Sequence, residues 1–345
     1  MTMKHVLFGG DGFVGRYLAR DLLALGEEVV ICDVKKSELP IYANTRFVEI
    51  DITDERSLAR APVDSEDVVY NLAARMLHPI VSRRHRHDYF FSVDYEGGVK
   101  LLDFAMGRGC LRHVLYSTDM VYGKMQTHPP IRPDHPRESI GEYSAAKREL
   151  EDLCIERRSE GLCVTILRPR LINGPGRMGI LTNLFRLVER GLPVPMIGNG
   201  TNHYQMVSVF DCASAGVCAW KRGVPNGEFN LGSKNPPTVR RLLTDLIKEA
   251  GSRSVLVPTP AFLVKLALRA LDRLNLSPLV PEQYEIADAS YVLDISETER
   301  VLEWTPRHDD TTMMLDAFRQ YRQKRLDSVH TMKLADDTPP DRSQR

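Results

Sequence analysis

Phe8-Gly9-Gly10-Asp11-Gly12-Phe13-Val14-Gly15 constrains the fold more than any other stretch of the chain. It follows a short apolar run, His5-Val6-Leu7-Phe8, that reads as a buried strand. It precedes Tyr17-Leu18-Ala19-Arg20-Asp21-Leu22-Leu23, which has helical spacing. Glycines at 9, 12 and 15 stand where a strand turns tightly into a helix. Without a Cβ, the backbone can approach a pyrophosphate, and the helix N-terminus offers free N–H groups and the positive end of its dipole. Glycines also serve plain structural turns. Here both flanks fit a dinucleotide site, and Asp33 closes the next strand, Val29-Val30-Ile31-Cys32. An acid about 20 residues beyond such a turn accepts from both ribose hydroxyls of NAD and repels a 2′-phosphate, so NAD is expected in preference to NADP.

Strands and helices alternate through the first half. Val29–Asp33, Arg46–Ile50, Asp67–Leu72, His113–Thr118 and Leu162–Arg168 read as strands, and Phe13–Leu25, Ser92–Gly107 and Gly141–Ser159 as helices. Alternation of this kind predicts an α/β fold, a doubly wound parallel sheet of Rossmann type, with ligands beyond the carboxyl ends of the strands. Asp51-Ile52 follows the third strand; its carboxylate is placed to meet an adenine amino group or is a solvated loop acid. Asn71-Leu72-Ala73-Ala74 ends the fourth strand in small residues, which suit a cofactor lying against backbone or a tight packing contact.

The totals exclude several classes. Forty-six basic and 46 acidic side chains cancel, which leaves no footprint for nucleic acid. Six cysteines are scattered without metal-ligand spacing, so no metal is expected. The first strand starts almost at once, which leaves no room for a signal peptide, and no apolar run approaches the roughly 18 residues of a membrane span. A cytoplasmic protein with a small-molecule substrate is the expectation. Two stretches stand apart. Ser82-Arg83-Arg84-His85-Arg86-His87 is strongly basic and reads as a solvated loop or an anion-docking site. Ala261–Leu276 is amphipathic, either a helix packed on its domain or a cover for an apolar substrate.

Tyr116-Ser117-Thr118-Asp119-Met120-Val121-Tyr122-Gly123 leaves the fifth strand, and Tyr143-Ser144-Ala145-Ala146-Lys147 opens a helix. Tyrosine and lysine four apart share one helix face. An ammonium beside a phenol favours the phenolate, and a phenol so tuned can exchange a proton with a substrate oxygen near neutral pH. Thr118 can hydrogen-bond the same oxygen.

With these residues in place the chain resembles the extended short-chain dehydrogenase/reductases, the NAD-dependent epimerase/dehydratase group. Matching positions include the glycine turn, Asp33, Asp51-Ile52, Asn71-Leu72-Ala73-Ala74, Thr118, Tyr143/Lys147, Leu167-Arg168-Pro169, Val209-Phe210-Asp211, Phe229-Asn230-Leu231-Gly232 and Leu302-Glu303-Trp304-Thr305-Pro306. The resemblance implies a Rossmann core at 1–175 with 203–235 returning to it, a smaller C-terminal α/β substrate-binding domain mainly at 176–326, and a disordered tail at 327–345. It implies Tyr143 as acid/base, Lys147 also holding the nicotinamide ribose, Thr118 polarising the reacting oxygen, and Pro169 beside the nicotinamide. Gly9, Gly12, Phe13, Val14, Gly15, Asp33, Asp51, Ile52, Leu72, Ala73 and Ala74 would line the rest of the cofactor site. It further implies a homodimer through the helices at 92–107 and 141–159.

Departures from the family pattern narrow the reaction. The 4,6-dehydratases of the group carry Thr-Asp-Glu where this chain has Thr118-Asp119-Met120, and a thioether cannot take a carbon-bound proton. The helix asparagine of the family is Asp94. Two diphosphate-binding arginines of relatives fall, by register, at Tyr204 and Tyr284. A phenol offers one neutral donor where an arginine offers a charged fork. Either the substrate lacks a diphosphate or His203, Arg177 or Arg186 supplies the charge. Asp119, Arg75, Asn173, Tyr204 and Tyr284 are the candidate substrate residues. The expected activity is that of a sugar epimerase, dehydrogenase or reductase, the substrate being nucleotide-linked. A 3β-hydroxysteroid-like or other small-molecule ketoreductase is the alternative, and a non-catalytic NAD-sensing protein the third reading.

Overall fold

The computed structural model describes residues 2–37, 45–75, 77, 81–126, 128–175 and 181–336, with side chains to residue 323. Strands β1 (Lys4–Phe8), β2 (Glu28–Asp33), β3 (Arg46–Glu49), β4 (Val68–Asn71), β5 (Arg112–Tyr116) and β6 (Cys163–Pro169) lie in one sheet, joined later by β10 (Gly227–Leu231). Every pairing is parallel, in the order β10-β6-β5-β4-β1-β2-β3. The strand order reverses between β1 and β4, which opens a crevice at their carboxyl ends, as expected of a doubly wound sheet.

Both sheet faces are apolar because both are covered. Along β1, Leu7 packs on one side with Leu18 and Leu22 of α1 (Gly15–Ala24). Val6 and Phe8 pack on the other with Leu58 of α2 (Glu55–Leu58). The basic run forms α3 (Arg83–Phe90). A π-helical segment, Phe91–Gly97, then leads into α4 (Gly98–Gly107). The helix expected from Ser92 therefore starts earlier, and the described part of the presumed loop is helical. Gly97 and Gly98 permit the close packing here. A Cβ on Gly98 would lie 2.5 Å from Leu150 and one on Gly97 2.9 Å from Ile52. Helix α5 (Glu142–Arg157) covers the same face of the sheet.

Past β6 the short strand β7 (Ile172–Asn173) precedes α6 (Leu181–Glu189) and β8 (Val194–Ile197). β7 pairs with β9 (Val207–Ser208), which runs into α7 (Val209–Lys221) against the sheet. A second apolar core joins Phe185 and Val188 to Leu246 of α8 (Val239–Glu249) and Phe318 of α12 (Asp310–Asp336). β11 (Leu256–Thr259) pairs with β8 beside it. Between β11 and α12 in sequence are α9 (Ala261–Arg273), α10 (Pro281–Tyr284) and α11 (Ser296–Leu302). Helix α12 continues to Asp336, ten residues into the stretch expected to be a disordered tail; 337–345 lie outside the described residues. Among the described residues no helix is long and apolar enough to cross a membrane.

Candidate active site

The glycine turn closes on itself. Gly9 has φ +76°, and a Cβ there would stand 2.6 Å from the Ala73 amide nitrogen. The Gly12 N–H donates to the Gly9 carbonyl at 3.0 Å, and a Cβ at Gly15 would meet the Gly10 carbonyl at 2.6 Å. Val14 caps α1 without a side-chain hydrogen bond, so the helix end keeps amide donors for an anion. Phe13 packs its edge on Tyr17, 6.3 Å between ring centres. At the end of β2, Asp33 accepts the Asp11 N–H (3.0 Å) and the Val34 N–H (2.8 Å). Burial pushes its carboxyl up and these N–H groups pull it back. Across the crevice the Leu72 N–H donates to the Phe8 carbonyl at 2.8 Å, and the Ala73 N–H to Asn71 Oδ1 at 3.2 Å, leaving backbone and small residues through Ala74. Ile52 is buried, whereas Asp51 is exposed and accepts the Thr53 N–H (2.9 Å) and hydroxyl (2.7 Å). A turn that a Cβ would fill, at a helix N-terminus with a fixed acid on the neighbouring strand, fits a dinucleotide.

Beyond β5 lies the second half of the site. Thr118 caps the short 3₁₀ turn Asp119–Tyr122, accepting the Met120 N–H at 3.3 Å. Its hydroxyl is 3.4 Å from Asp119 Oδ1. Helix α5 packs on that turn and carries Tyr143 in its first turn and Lys147 one turn on. The Tyr143 ring meets Phe90 edge-on at 5.5 Å. Lys147 is fully buried; its Nζ lies 3.1 Å from Asp94 Oδ1 and 3.5 Å from the Tyr116 carbonyl. Asp94 projects from the π-helical segment, and its other oxygen accepts the Arg75 N–H at 3.0 Å. Such wide turns recur where a helix must aim a functional side chain. Burial pushes the Asp94 carboxyl up, opposed by the Lys147 charge. Glu282 of α10 reaches the start of α5, where its buried carboxylate accepts the Tyr143 N–H and lies against Gly141.

On the far side, Asp119 is buried and paired with Arg170 at 2.9 Å. The Arg170 guanidinium lies over the rings of Tyr291 (4.8 Å) and Tyr204 (5.7 Å). Tyr291 donates its hydroxyl to the Asp119 carbonyl at 3.0 Å. Pro169, the residue before Arg170, ends β6 opposite Leu231. Thr118, Asp119 and Tyr204 are thus linked in one cluster through Arg170. Asn173 is set apart, its amide donating to the Met313 carbonyl at 3.2 Å. The Arg75 side chain stacks on Tyr89 at 5.1 Å. Tyr284 borders a cavity of about 380 Å³ with Arg83, Lys124, Arg269, Asp272, Arg273 and Glu285. Of the proposed replacement cations, His203 bonds the Pro236 carbonyl (2.8 Å), Arg186 donates to Asn183 (3.3 Å), and Arg177 lies outside the described residues. Arg170 and Glu282 escaped the sequence reading. A charged residue directly after Pro169 was the signal for the first; the second had none.

Against known proteins, the family model for the NAD dependent epimerase/dehydratase family matches residues 5–232. The chain is 31% identical to the y4nG protein of Sinorhizobium fredii over 319 residues, 92% of this chain and 78% of that one. It is 27% identical to the UDP-N-acetyl-alpha-D-glucosaminuronate decarboxylase of Bacillus cytotoxicus, over 75% of this chain and 84% of that one. The UDP-glucose 4-epimerase of Thermotoga maritima has the same fold, with TM-score 0.73 at 23% identity over 94% of this chain and 100% of that one. The chain belongs to the NAD-dependent epimerase/dehydratase family, enzymes of the extended short-chain dehydrogenase/reductase type that use NAD.

Proposed function

We propose that the chain is an NAD-dependent sugar epimerase, dehydrogenase or reductase acting at a secondary alcohol or ketone, with Tyr143 as acid/base. The observation that carries this reading is the inward-facing Lys147, buried one turn from Tyr143 and held at the β5 end that presents Thr118. NAD, when bound, supplies a hydride acceptor and donor. The glycine turn and Asp33 would hold its pyrophosphate and adenine ribose, and Lys147 and Pro169 would border its nicotinamide end. Tyr143 would take the hydroxyl proton as the alcohol is oxidised and return it on reduction. Thr118 would orient the same oxygen.

A nucleotide-linked sugar is the substrate class we favour, on the names of the relatives and on the cavity beside Tyr284. Four cations, Arg83, Lys124, Arg269 and Arg273, face two carboxylates there, Asp272 and Glu285, and that excess suits a phosphate. The half-buried phenol at 204 and the buried one at 284 favour the second reading, a steroid-like ketone without a diphosphate. We further propose a cytoplasmic homodimer paired through α4 and α5, which a monomeric mass at micromolar concentration would refute. The activity test incubates the protein with NAD⁺ and panels of nucleotide sugars and of simple secondary alcohols. Turnover that Tyr143→Phe abolishes supports the reading. No turnover of either panel, with the variant indistinguishable from the parent, leaves the NAD-sensing alternative.

A further inference from the structure

The basic run at 82–87 and the amphipathic stretch at 261–276 meet in the structure, and much of the apolar surface of helix α9 is turned to solvent. Lys265, Arg269 and Asp272 are paired with the body of the protein, whereas Arg273 is exposed. Lys265 donates to the Glu285 carbonyl at 2.7 Å and pairs with Asp288; Arg269 forks onto the Glu285 carboxylate at 2.6 and 2.7 Å. Asp272 is buried and takes Arg86 at 2.6 Å. Leu268 is buried beneath the helix, but other large apolar side chains face outward: Phe262 is 70% exposed, Leu263 49% and Leu266 61%, with Leu274 at 66% and Leu276 at 67% just past the helix. At about 100° per residue, Phe262, Leu263, Leu266 and Leu274 fall within one arc of roughly 120°. A clustered face of this kind marks an interaction surface, whereas scattered exposed leucines would not.

The basic run borders this ledge. The Arg83 N–H donates to Asn275 Oδ1 at 2.9 Å, between Leu274 and Leu276, and its guanidinium lies 3.7 Å from Asp272. Arg83, Arg84 and Arg273 are exposed. Of the carboxylates in the region, Asp272, Glu285 and Asp288 are already engaged by Arg86, Arg269 and Lys265, and Asp88 is exposed one turn from Arg84. With three exposed arginines against that one carboxylate, the border is net cationic and the ledge apolar.

We propose that this face docks on an anionic lipid bilayer. Helix α9 lies along the interface with Phe262 and the leucines among the upper acyl chains, and Arg83, Arg84 and Arg273 meet headgroup phosphates. The alternative occupant, a second copy, is disfavoured by charge. A two-fold contact through the same patch would set these arginines against their own images without an unengaged carboxylate from the ledge between them. The cavity beside Tyr284 shares Arg83 and Arg273 with the border, so docking holds its mouth at headgroup level.

The test is flotation of the full chain with vesicles of phosphatidylcholine alone and vesicles one-third phosphatidylglycerol, at physiological and raised salt. The protein is expected to float with the anionic vesicles only, and less at high salt. Phe262→Asp/Leu266→Asp is expected to lower the partition coefficient more than tenfold, and Arg83→Gln/Arg84→Gln by roughly fivefold per charge. Both pairs are at exposed positions; unchanged melting and NAD binding show that the variants are folded. Absence of flotation by the parent chain overturns the proposal, as does flotation indifferent to Phe262→Asp/Leu266→Asp. A shift from dimer to monomer in that variant, without vesicle binding by the parent, assigns the ledge to a second copy instead.

Discussion

Replacing Asp94 by asparagine removes one negative charge from behind the proposed catalytic pair while leaving the shape intact. The carboxylate lies 3.1 Å from the Lys147 ammonium, and both are shielded from water. For an ammonium about 5 Å from a phenol oxygen, a separation typical of such tuning, a carboxylate 3.1 Å beyond the ammonium would act from roughly 8 Å. At an effective dielectric near 20, its repulsion of a phenolate is about 2 kcal/mol, close to 1.5 pH units. Asp94 thus holds back the acidifying effect of Lys147, and Asp94→Asn is expected to ionise Tyr143 about one to 1.5 pH units lower. Other charges facing the pair stay constant in this comparison: Arg75, Glu142, Glu282, and the mutually neutralised Asp119 and Arg170. The readout needs no substrate. The tyrosinate ultraviolet difference spectrum between each protein and its Tyr143→Phe counterpart isolates the one phenol. Where a substrate turns over, the acid limb of kcat/KM should move by the same amount. A stability loss of up to about 3 kcal/mol is expected in parallel, since the variant leaves a buried ammonium facing an amide. A Tyr143 titration that stays in place or moves to higher pH refutes the reasoning.

Three further outcomes are expected. Calorimetric titration should give tighter binding of NAD(H) than of NADP(H), and Asp33→Ser should narrow the gap by about tenfold or more, because its carboxylate would repel a 2′-phosphate. Gly9→Ala should cost roughly 2–4 kcal/mol in urea unfolding and abolish NAD binding, because an L side chain at φ +76° is strained and its Cβ would collide with the backbone of Leu72 and Ala73. His113 is buried, and burial pushes its imidazole down to about 4 from 6.5. The unfolded chain therefore binds that proton first as pH falls below 6.5, and stability is lost between there and about 4. His113→Gln should narrow the difference in unfolding free energy between pH 7 and pH 5 by about 2 kcal/mol. His5 acts in the same direction, while Asp310, pushed up to about 6 by burial, opposes both at its own position.

The glycine turn, Asp33 and the strand ends were legible because each is a local pattern: a backbone approach, a register, an alternation. The helix of Tyr143 and Lys147 was legible for the same reason. The π-helical segment at 91–97 was not, since a turn of i→i+5 spacing breaks the 3.6 period on which helix boundaries are read, and it is what aims Asp94 at Lys147. Contacts between distant segments were also out of reach. Nothing local tells that Glu282 will sit on the first turn of α5, or that Arg170 will cross to Asp119. For α9 the periodicity was plain, but a helical wheel states only that two faces differ. Which face meets the protein is decided by Glu285, Asp288 and Arg86, whose charges draw the polar side inward.

The departures that the family resemblance implies run in one direction: where it implies an asparagine and two arginines, Asp94 would add a negative charge and Tyr204 and Tyr284 would remove two positive ones. Arg170 returns one positive charge beside Tyr204, where Asp119 cancels it at 2.9 Å. The space between Thr118 and Tyr204 is therefore ringed by pairs that sum to zero, Lys147 with Asp94 and Arg170 with Asp119. Such pairs polarise a neutral hydroxyl or carbonyl, whereas a diphosphate placed between them would meet cations that are already paired. The cavity beside Tyr284 has the opposite character, with more cations than carboxylates. A substrate that carries a phosphate is therefore expected to place it there, beside the α9–α10 wall.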